Sequence, residues 1–448
     1  MVKSRTIYIC AECGATSPKW LGRCPACQSW DSLVESAPAP AAGPGPGSAS
    51  AQPQALNAGP AGSEARTATG LSELDRVLGG GLVPGMVVLV GGEPGIGKST
   101  LMLQLAASLS RSGHNPLYVS AEESGRQVGL RARRLGLADS PLMLLAETGL
   151  EAVAAVWEQG GYSAVVVDSV QAVRSDQAPG LAGSVGQVRA VAARLAAVAK
   201  QTGAALFLVG HVTKEGALAG PRVLEHLVDT VLYFESEPAM RLRLLRAVKN
   251  RFGATDEVGV FEMTEEGLLP VANPSAVFLA HRPAGAPGSA VCAAVNGSRP
   301  LLVEVQALVS PSGLAMPRRQ ALGVDAGRLH MLCAVLAIHA GLDLSGHDVF
   351  VNVTGGIKLG EPAADLAVAA AVASSFHARA LPADLVCFGE VGLAGELRAV
   401  GRTGARLAEA GRQGFTRALT ATLPPGGKQA AIKVQSAERL GQALEMVL

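Results

Sequence analysis

The chain lacks any uninterrupted apolar run near the ~18 residues a membrane-spanning helix requires. No membrane association is therefore expected. Its start, Met1-Val2-Lys3-Ser4-Arg5, runs into Thr6-Ile7-Tyr8-Ile9-Cys10 without an apolar core or a small-residue cleavage site. No secretory signal is expected, and the protein reads as cytoplasmic. Charge of either sign is scarce at 17%, yet 48% hydrophobic residues exclude a chain disordered throughout. Neither sign dominates. Lys+Arg is 38 against Asp+Glu 37, a net charge of +1, which excludes a uniformly basic nucleic-acid coat and an acidic tail protein. Net charge does not report local basic patches. Aromatics are few at 4%, whereas Gly (54) and Pro (26) are plentiful. The glycines imply many turns and backbone able to approach a phosphate closely. Seven cysteines exclude complete pairing, and four of them crowd into the first 27 residues. In a reducing compartment that crowding reads as metal binding, not a disulfide framework.

At ~150 residues per domain, 448 residues suggest about three domains. Residues 1–35 form a cysteine module. Residues 36–66 are almost wholly Ala, Pro, Gly, Ser and Gln, with charge only at Glu64 and Arg66. Nothing there can form a core, so a disordered linker is expected, spanning about 30 Å on average. From 67 to 272, short apolar runs alternate with helical patterns. Met86–Val90, Leu117–Val119, Val165–Val167 and Ala205–Val209 read as buried strands; stretches near 98–112 and 186–201 read as helices. The alternation predicts a parallel α/β sheet. A Pro/Gly cluster at 282–288 lies near the next boundary. Residues 273–448 read as a further α+β or α/β domain, with strands at 301–309 and 349–353 and helices near 325–340 and 362–377. No internal repeat is evident.

Gly92-Glu93-Pro94-Gly95-Ile96-Gly97-Lys98-Ser99-Thr100 fits G-x-x-x-x-G-K-[ST] between a strand and a helix. Glycines let backbone N–H groups turn toward phosphate oxygens, and the helix N-terminus favours negative charge. Lys98 supplies charge to the β- and γ-phosphates of ATP, Ser99 a hydroxyl for Mg²⁺, and Thr100 contact near the α-phosphate. Asp168, ending the run Ala164–Val167, is expected to support the Mg²⁺ water shell; a simple N-cap aspartate is the alternative. Glu122 and Glu123 follow strand 117–121. Only one can face the phosphates, and Glu122 is preferred as the group that orients water. Glu123 fits a helix start.

Cys10-Ala11-Glu12-Cys13 and Cys24-Pro25-Ala26-Cys27 make C-x₂-C-x₁₀-C-x₂-C. Two knuckles of thiolates suit a closed, structural Zn²⁺ site. Two redox pairs are the alternative, without the strand–helix context such pairs need. Trp20 and Trp30, with Lys19 and Arg23, suit either stacking on single-stranded nucleic acid or a miniature core. Cys292, Cys333 and Cys387 sit among apolar residues and read as buried thiols.

The four-cysteine finger, the phosphate loop and Lys249-Asn250-Arg251-Phe252-Gly253 together resemble the bacterial RadA/Sms DNA-repair family over nearly the whole chain. The resemblance implies an α/β fold: a RecA-like P-loop ATPase core with a parallel-rich sheet, a C-terminal Lon-protease-like domain and an N-terminal zinc finger. It implies a hexameric ring that binds single-stranded and branched DNA, drives branch migration and works with a RecA-type recombinase. Lys249 and Arg251 resemble a basic pair reaching across a subunit interface toward ATP. The alternative is a solvated strand, in an acid-free cluster with Arg241, Arg243 and Arg246. His211 occupies the place of a γ-phosphate sensor, or makes a structural hydrogen bond. Loops 171–187, with Arg174, and 212–222, with Lys214 and Arg222, correspond to channel loops that track DNA. In Gly360-Glu361-Pro362-Ala363-Ala364-Asp365, Ala363 stands at the position of the peptidase serine, and 396–404 offers no lysine. No peptidase activity is expected. Lys358, Arg398, Arg402 and Arg406 remain as possible DNA contacts or plain surface.

Overall fold

A computed structural model describes residues 7–10, 16–25, 28, 30–31, 33–36, 66–210, 224–236, 242–255, 257–283, 285–422 and 432–448. The expected linker, apart from Ser36 and Arg66, lies outside the described residues. So do Cys13, Cys27, His211, Lys214, Arg222 and Arg241. The chain divides into two compact units with a break between Pro270 and Val271.

In the N-terminal module, β1 (Ile7–Cys10) pairs antiparallel with β2 (Thr16–Ser17) and β3 (Leu33–Ser36). Cys10, Cys24 and Leu33 form its small core, with Tyr8 packed against them.

The next elements are α1 (Ser72–Leu78), β4 (Val87–Gly92), α2 (Lys98–Arg111), β5 (Pro116–Ser120), α3 (Gly125–Arg134), β6 (Met143–Ala146), α4 (Leu150–Gly160), β7 (Ala164–Asp168), α5 (Val185–Thr202) and β8 (Ala205–Val209). Then come β9 (Thr230–Ser236), β10 (Leu242–Asn250), β11 (Val258–Thr264) and β12 (Gly267–Pro270). They build one nine-stranded sheet in the order β12-β11-β10-β9-β4-β8-β7-β5-β6. From β9 to β6 every neighbouring pair is parallel. The alternating pattern anticipates β4, β5, β7 and β8 of that half, but not β6 or β9. The other half is antiparallel at β9–β10 and β11–β12, because these strands follow one another without a crossover helix.

The central strands are buried on both faces, so their period-2 alternation feeds two cores. Val88, Val90, Tyr118, Val166 and Phe207 join α1 and α2 on one face. Val87, Leu89, Leu117, Val119, Val165 and Leu206 join α4 and α5 on the other. At the start of α3, Ser124 and Gln127 form a reciprocal capping box, which fixes where the chain leaves β5.

The second unit contains α6 (Pro274–Leu279), β13 (Ser289–Asn296), β14 (Arg299–Pro311), β15 (Arg319–Leu322), α7 (Ala326–His339) and β16 (His347–Val353). After a 3₁₀ turn at Pro362–Ala364 come α8 (Asp365–Phe376), β17 (Leu385–Cys387), β18 (Glu390–Val391), β19 (Leu397–Arg398), α9 (Thr403–Arg412), β20 (Arg417–Ala421), β21 (Lys433–Ala437) and α10 (Leu440–Glu445). Seven strands form a mixed sheet, β15-β16-β14-β13-β17-β20-β21. Helix α8 is buried on all sides from Asp365 to Ser374, as its Ala-rich, nearly charge-free sequence permits. Among the described residues no helix is long and apolar enough to cross a membrane.

Candidate nucleotide site and metal-binding module

The phosphate loop is held by steric necessity at two glycines. At Gly97 (φ +116°) a Cβ would lie 2.7 Å from Met263 Cε, and at Gly92 (φ +149°) 2.9 Å from Phe234 Cβ. Both positions need positive φ and have no room for a side chain. Gly95 instead opens onto free space, with Glu93 and Pro94 also exposed, so the loop's mouth is accessible. Arg243 of β10 donates from Nε to the Ile96 carbonyl at 3.3 Å, tying the loop to the antiparallel half of the sheet.

Lys98 opens α2 and is 4% exposed. Its Nζ donates to the carbonyls of Gly92 (2.8 Å) and Glu93 (2.9 Å). Burial pulls its pKa below the ordinary lysine value, while the charges of Asp168 and Glu122 act in the opposite direction. The two carboxylates chosen from the sequence thus lie within electrostatic reach of the phosphate-loop lysine. Ser99 and Thr100 follow in the first turn of α2, both half-buried. A hydroxyl, two carboxylates and a glycine-lined backbone cradle form a hard-oxygen donor set that fits a nucleotide with Mg²⁺.

Asp168 ends β7 in register with Ser120 of β5. It is buried, and the Tyr118 hydroxyl donates to its Oδ2 at 2.6 Å. Burial, then the Asp168 charge, holds the Tyr118 pKa well above the ordinary tyrosine value, so Tyr118 stays a protonated donor. Glu122 accepts a hydrogen bond from the Ser169 hydroxyl. Glu123 is bonded to Arg131 of α3. The adjacent acids therefore part: one faces Lys98 and Asp168, the other an arginine. Tyr118, Ser169 and Arg243 were not singled out as site residues by the sequence. Tyr118 reads as one more apolar residue of a buried strand, and only its position beside β7 reveals a role.

Lys249 and Arg251 lie elsewhere. Lys249 Nζ donates to the carbonyls of Glu225 (2.6 Å) and Val228 (2.8 Å). Arg251 pairs with Asp229 at 3.1 Å, whose other oxygen accepts from Val87 N. Arg246 pairs with Glu235 across the β9–β10 ladder. The run that is acid-free in sequence is thus supplied with acids by the neighbouring strand. Asn250 lies opposite Thr230, which is level with Val88, whereas Gly92 is level with Phe234. Lys249, opposite Val231 and so level with Leu89, is about 10 Å of strand from Gly92, and Arg251, two residues on, is about 17 Å from it.

Arg174 is bonded to Asp176 at 3.0 Å, and both side chains are largely exposed. In the metal module, Cys10 and Cys24 are buried together. Trp20 and Trp30 are not its core: they are 54% and 74% exposed and flank Gly22. Arg23 lies over the Trp30 ring at 5.6 Å, held by two hydrogen bonds to Gln28.

In the second unit Ala363 is 1% exposed. Beside it, Glu361 pairs with Arg406 (2.8 and 2.5 Å), which also donates to the Ala293 carbonyl. Arg406 is buried, so the surface role considered for it is corrected: α9 turns it inward onto Glu361 and the Phe388 ring. Arg398 is paired with Glu390 and Glu396, and Arg402 donates to the Gly297 carbonyl. Cys292, Cys333 and Cys387 are buried thiols, with burial pushing Cys387 up to about 12.

Comparison with known proteins agrees with this geometry. Residues 8–35 match the family model described as a rubredoxin metal binding domain, and residues 59–217 one described as an AAA domain. The chain is 52% identical to the DNA repair protein RadA of Pseudomonas aeruginosa over 450 aligned positions, covering 99% of both chains. It is 48% identical to RadA of Bacillus subtilis and 47% identical to RadA of Halalkalibacterium halodurans, each over the full length of both chains. The ATPase domain of G40P aligns with 47% of this chain and 93% of its own at a TM-score of 0.40 and 14% identity, too slight a likeness to argue from. With its zinc ribbon, its AAA-type ATPase domain and full-length identity near one half, the chain belongs to the family of RadA DNA repair proteins.

Proposed function

We propose that this protein is an ATP-driven DNA motor of recombinational repair. It binds single-stranded and branched DNA and promotes branch migration, as a cytoplasmic hexameric ring acting with a RecA-type recombinase. Lys98 and the loop N–H groups hold the phosphates. Ser99 and Asp168 hold Mg²⁺, which supplies charge neutralisation at the β- and γ-phosphates. Glu122 orients the attacking water. Residues 67–272 are the motor and 273–448 a Lon-protease-like scaffold without peptidase chemistry, since Ala363 carries no nucleophile and the neighbouring Glu361 is committed to Arg406. Cys10, Cys13, Cys24 and Cys27 hold Zn²⁺, with 36–66 as the tether. His211 senses the γ-phosphate, and Arg174, Lys214 and Arg222 line the DNA path.

The observation that carries the motor reading is the placement of charge on one sheet. Lys98, Glu122 and Asp168 converge at one end, while Lys249 and Arg251 stand at the other. Both side chains are turned away from their own phosphate loop, Lys249 onto the Glu225 and Val228 carbonyls and Arg251 onto Asp229, which supports a role toward the nucleotide of a neighbouring subunit. Charge supplied in trans makes hydrolysis depend on assembly. The test mixes two inactive proteins. Arg251→Ala and Lys98→Ala should each lose DNA-stimulated ATPase activity. A mixture should recover about a quarter of the sites, those with an intact residue on both sides of an interface. A mixture as inactive as its parts removes the trans role. Strand displacement on a branched substrate, absent with Lys98→Ala, separates a motor from a clamp that hydrolyses ATP without moving.

The exposed indoles suit stacking against unpaired bases. Of three tryptophans, Trp157 is 1% exposed, so a fluorescence response to oligothymidine should come from Trp20 and Trp30. Quenching is expected and should fall in Trp20→Ala and Trp30→Ala. Tight binding without quenching would assign the indoles to a protein partner.

A further inference from the structure

β7 ends in Asp168 and β5 is followed by Glu122; β5 also carries the Tyr118 hydroxyl, and Ser169 follows β7. The hydroxyls are exchanged. Tyr118 of β5 donates to Asp168 of β7, and Ser169, just after β7, donates to Glu122, just after β5. Tyr118, Val166 and Asp168 share one face by period-2 alternation, the face that packs against α2. Tyr118 is level with Val166 and reaches one pleat further to the carboxylate. Tyr118 is 1% exposed and Ser169 0%, so neither hydroxyl is there to meet solvent.

The chemical type of the donor matters. Glu123 is bonded to an arginine, which neutralises it. A neutral hydroxyl instead satisfies one oxygen of a carboxylate, buried at Asp168 and exposed at Glu122, without itself cancelling the charge. It also stops the carboxylate rotating. We infer that Tyr118 and Ser169 are positioning residues forming a crossed brace: Tyr118 aims Asp168 at the metal, and Ser169 aims Glu122 at the attacking water. This rests on the roles proposed above for Asp168 and Glu122. Because each acid is held from the other's strand, the spacing between the metal-supporting and water-orienting groups is set by the β5–β7 register.

The two hydroxyls should separate in experiment. Both variants remove only an oxygen, and Tyr118→Phe keeps the ring that fills the core. In the full-length protein with ADP, Tyr118→Phe should weaken Mn²⁺ binding, followed by electron paramagnetic resonance, about tenfold, and raise the Mg²⁺ needed for half-maximal ATPase by a similar factor. Its kcat at saturating metal should stay within about twofold of wild type. Ser169→Ala should bind Mn²⁺ normally and lower kcat about tenfold at unchanged KM. Ser169→Thr, which restores a hydroxyl, should recover most of that loss. Wild-type Mn²⁺ affinity in Tyr118→Phe overturns the brace, as does an equal loss of affinity and kcat in both variants with a lowered Tm. Asp168→Asn distinguishes the underlying reading. If it too leaves Mn²⁺ affinity unchanged, the metal role of Asp168 fails; if only Asp168→Asn weakens Mn²⁺, the brace alone fails.

Discussion

Replacing Lys98 with alanine is expected to reduce ATP turnover on the order of 10³-fold, since one preorganised charge at a transferring phosphoryl group contributes that much. The buried ammonium sits on two loop carbonyls, between the negative charges of Asp168 and Glu122. Removing it leaves two nearby carboxylates facing a polyphosphate with less positive charge to offset them. Nucleotide affinity should fall together with turnover, because a lysine in the proposed phosphate-holding role would contact phosphate in both ground and transition states. The Glu93 carbonyl lies at the loop mouth and can turn to water, whereas the buried Gly92 carbonyl loses a partner, so the fold should survive with a modestly lowered Tm. Steady-state ATPase with a thermal melt checks both points. Turnover within about tenfold of wild type would remove Lys98 from the transition state.

Glu122→Gln is expected to behave differently. General-base assistance contributes roughly 10²–10⁴-fold, so kcat should fall by about that much while ATP affinity stays near wild type. The Gln amide keeps the shape and can still accept the Ser169 hydroxyl, but it cannot take a proton. Equilibrium binding of a fluorescent ATP analogue beside single-turnover hydrolysis separates the two effects. The companion Glu123→Gln should lose only the ion pair to Arg131, a partly exposed contact worth about 1 kcal/mol or less in stability, with turnover retained. If Glu123→Gln is the inactive variant, the roles are reversed.

Much of the candidate site was legible because it is local. The phosphate loop is nine consecutive residues, and its chemistry comes from their own backbone N–H groups and the helix they begin. The cysteine spacing works likewise, since each knuckle closes within four residues. Four of the six strands in the parallel half of the large sheet followed from apolar runs alternating with helical patterns; β6, whose residues are largely exposed, and β9 did not. The antiparallel half was less legible. β10 carries Arg243, Arg246 and Lys249 in a run that reads as solvated surface, yet it pairs along β9 and takes its acid partners from there. Helix α9 gives the same lesson in reverse. Arg406 reads as a surface charge beside Arg402, but the turn of the helix places it in the core against Glu361.

The sequence by itself determined the ATP-binding loop, the metal-binding spacing, the absence of a serine at Ala363 and membership of the RadA family. These depend on residue identity and short-range order, which the chain states directly. The tertiary structure decided which of two adjacent glutamates lies toward Lys98 and which toward Arg131, that Tyr118 and Ser169 bond Asp168 and Glu122, and that Lys249 and Arg251 are bonded away from their own phosphate loop. It also decided that Trp20 and Trp30 lie at the surface of the metal module. The physical reason is sheet register. Hydrogen bonds between strands join residues about fifty positions apart, such as Tyr118 and Asp168, and no local pattern encodes which strand lies beside which.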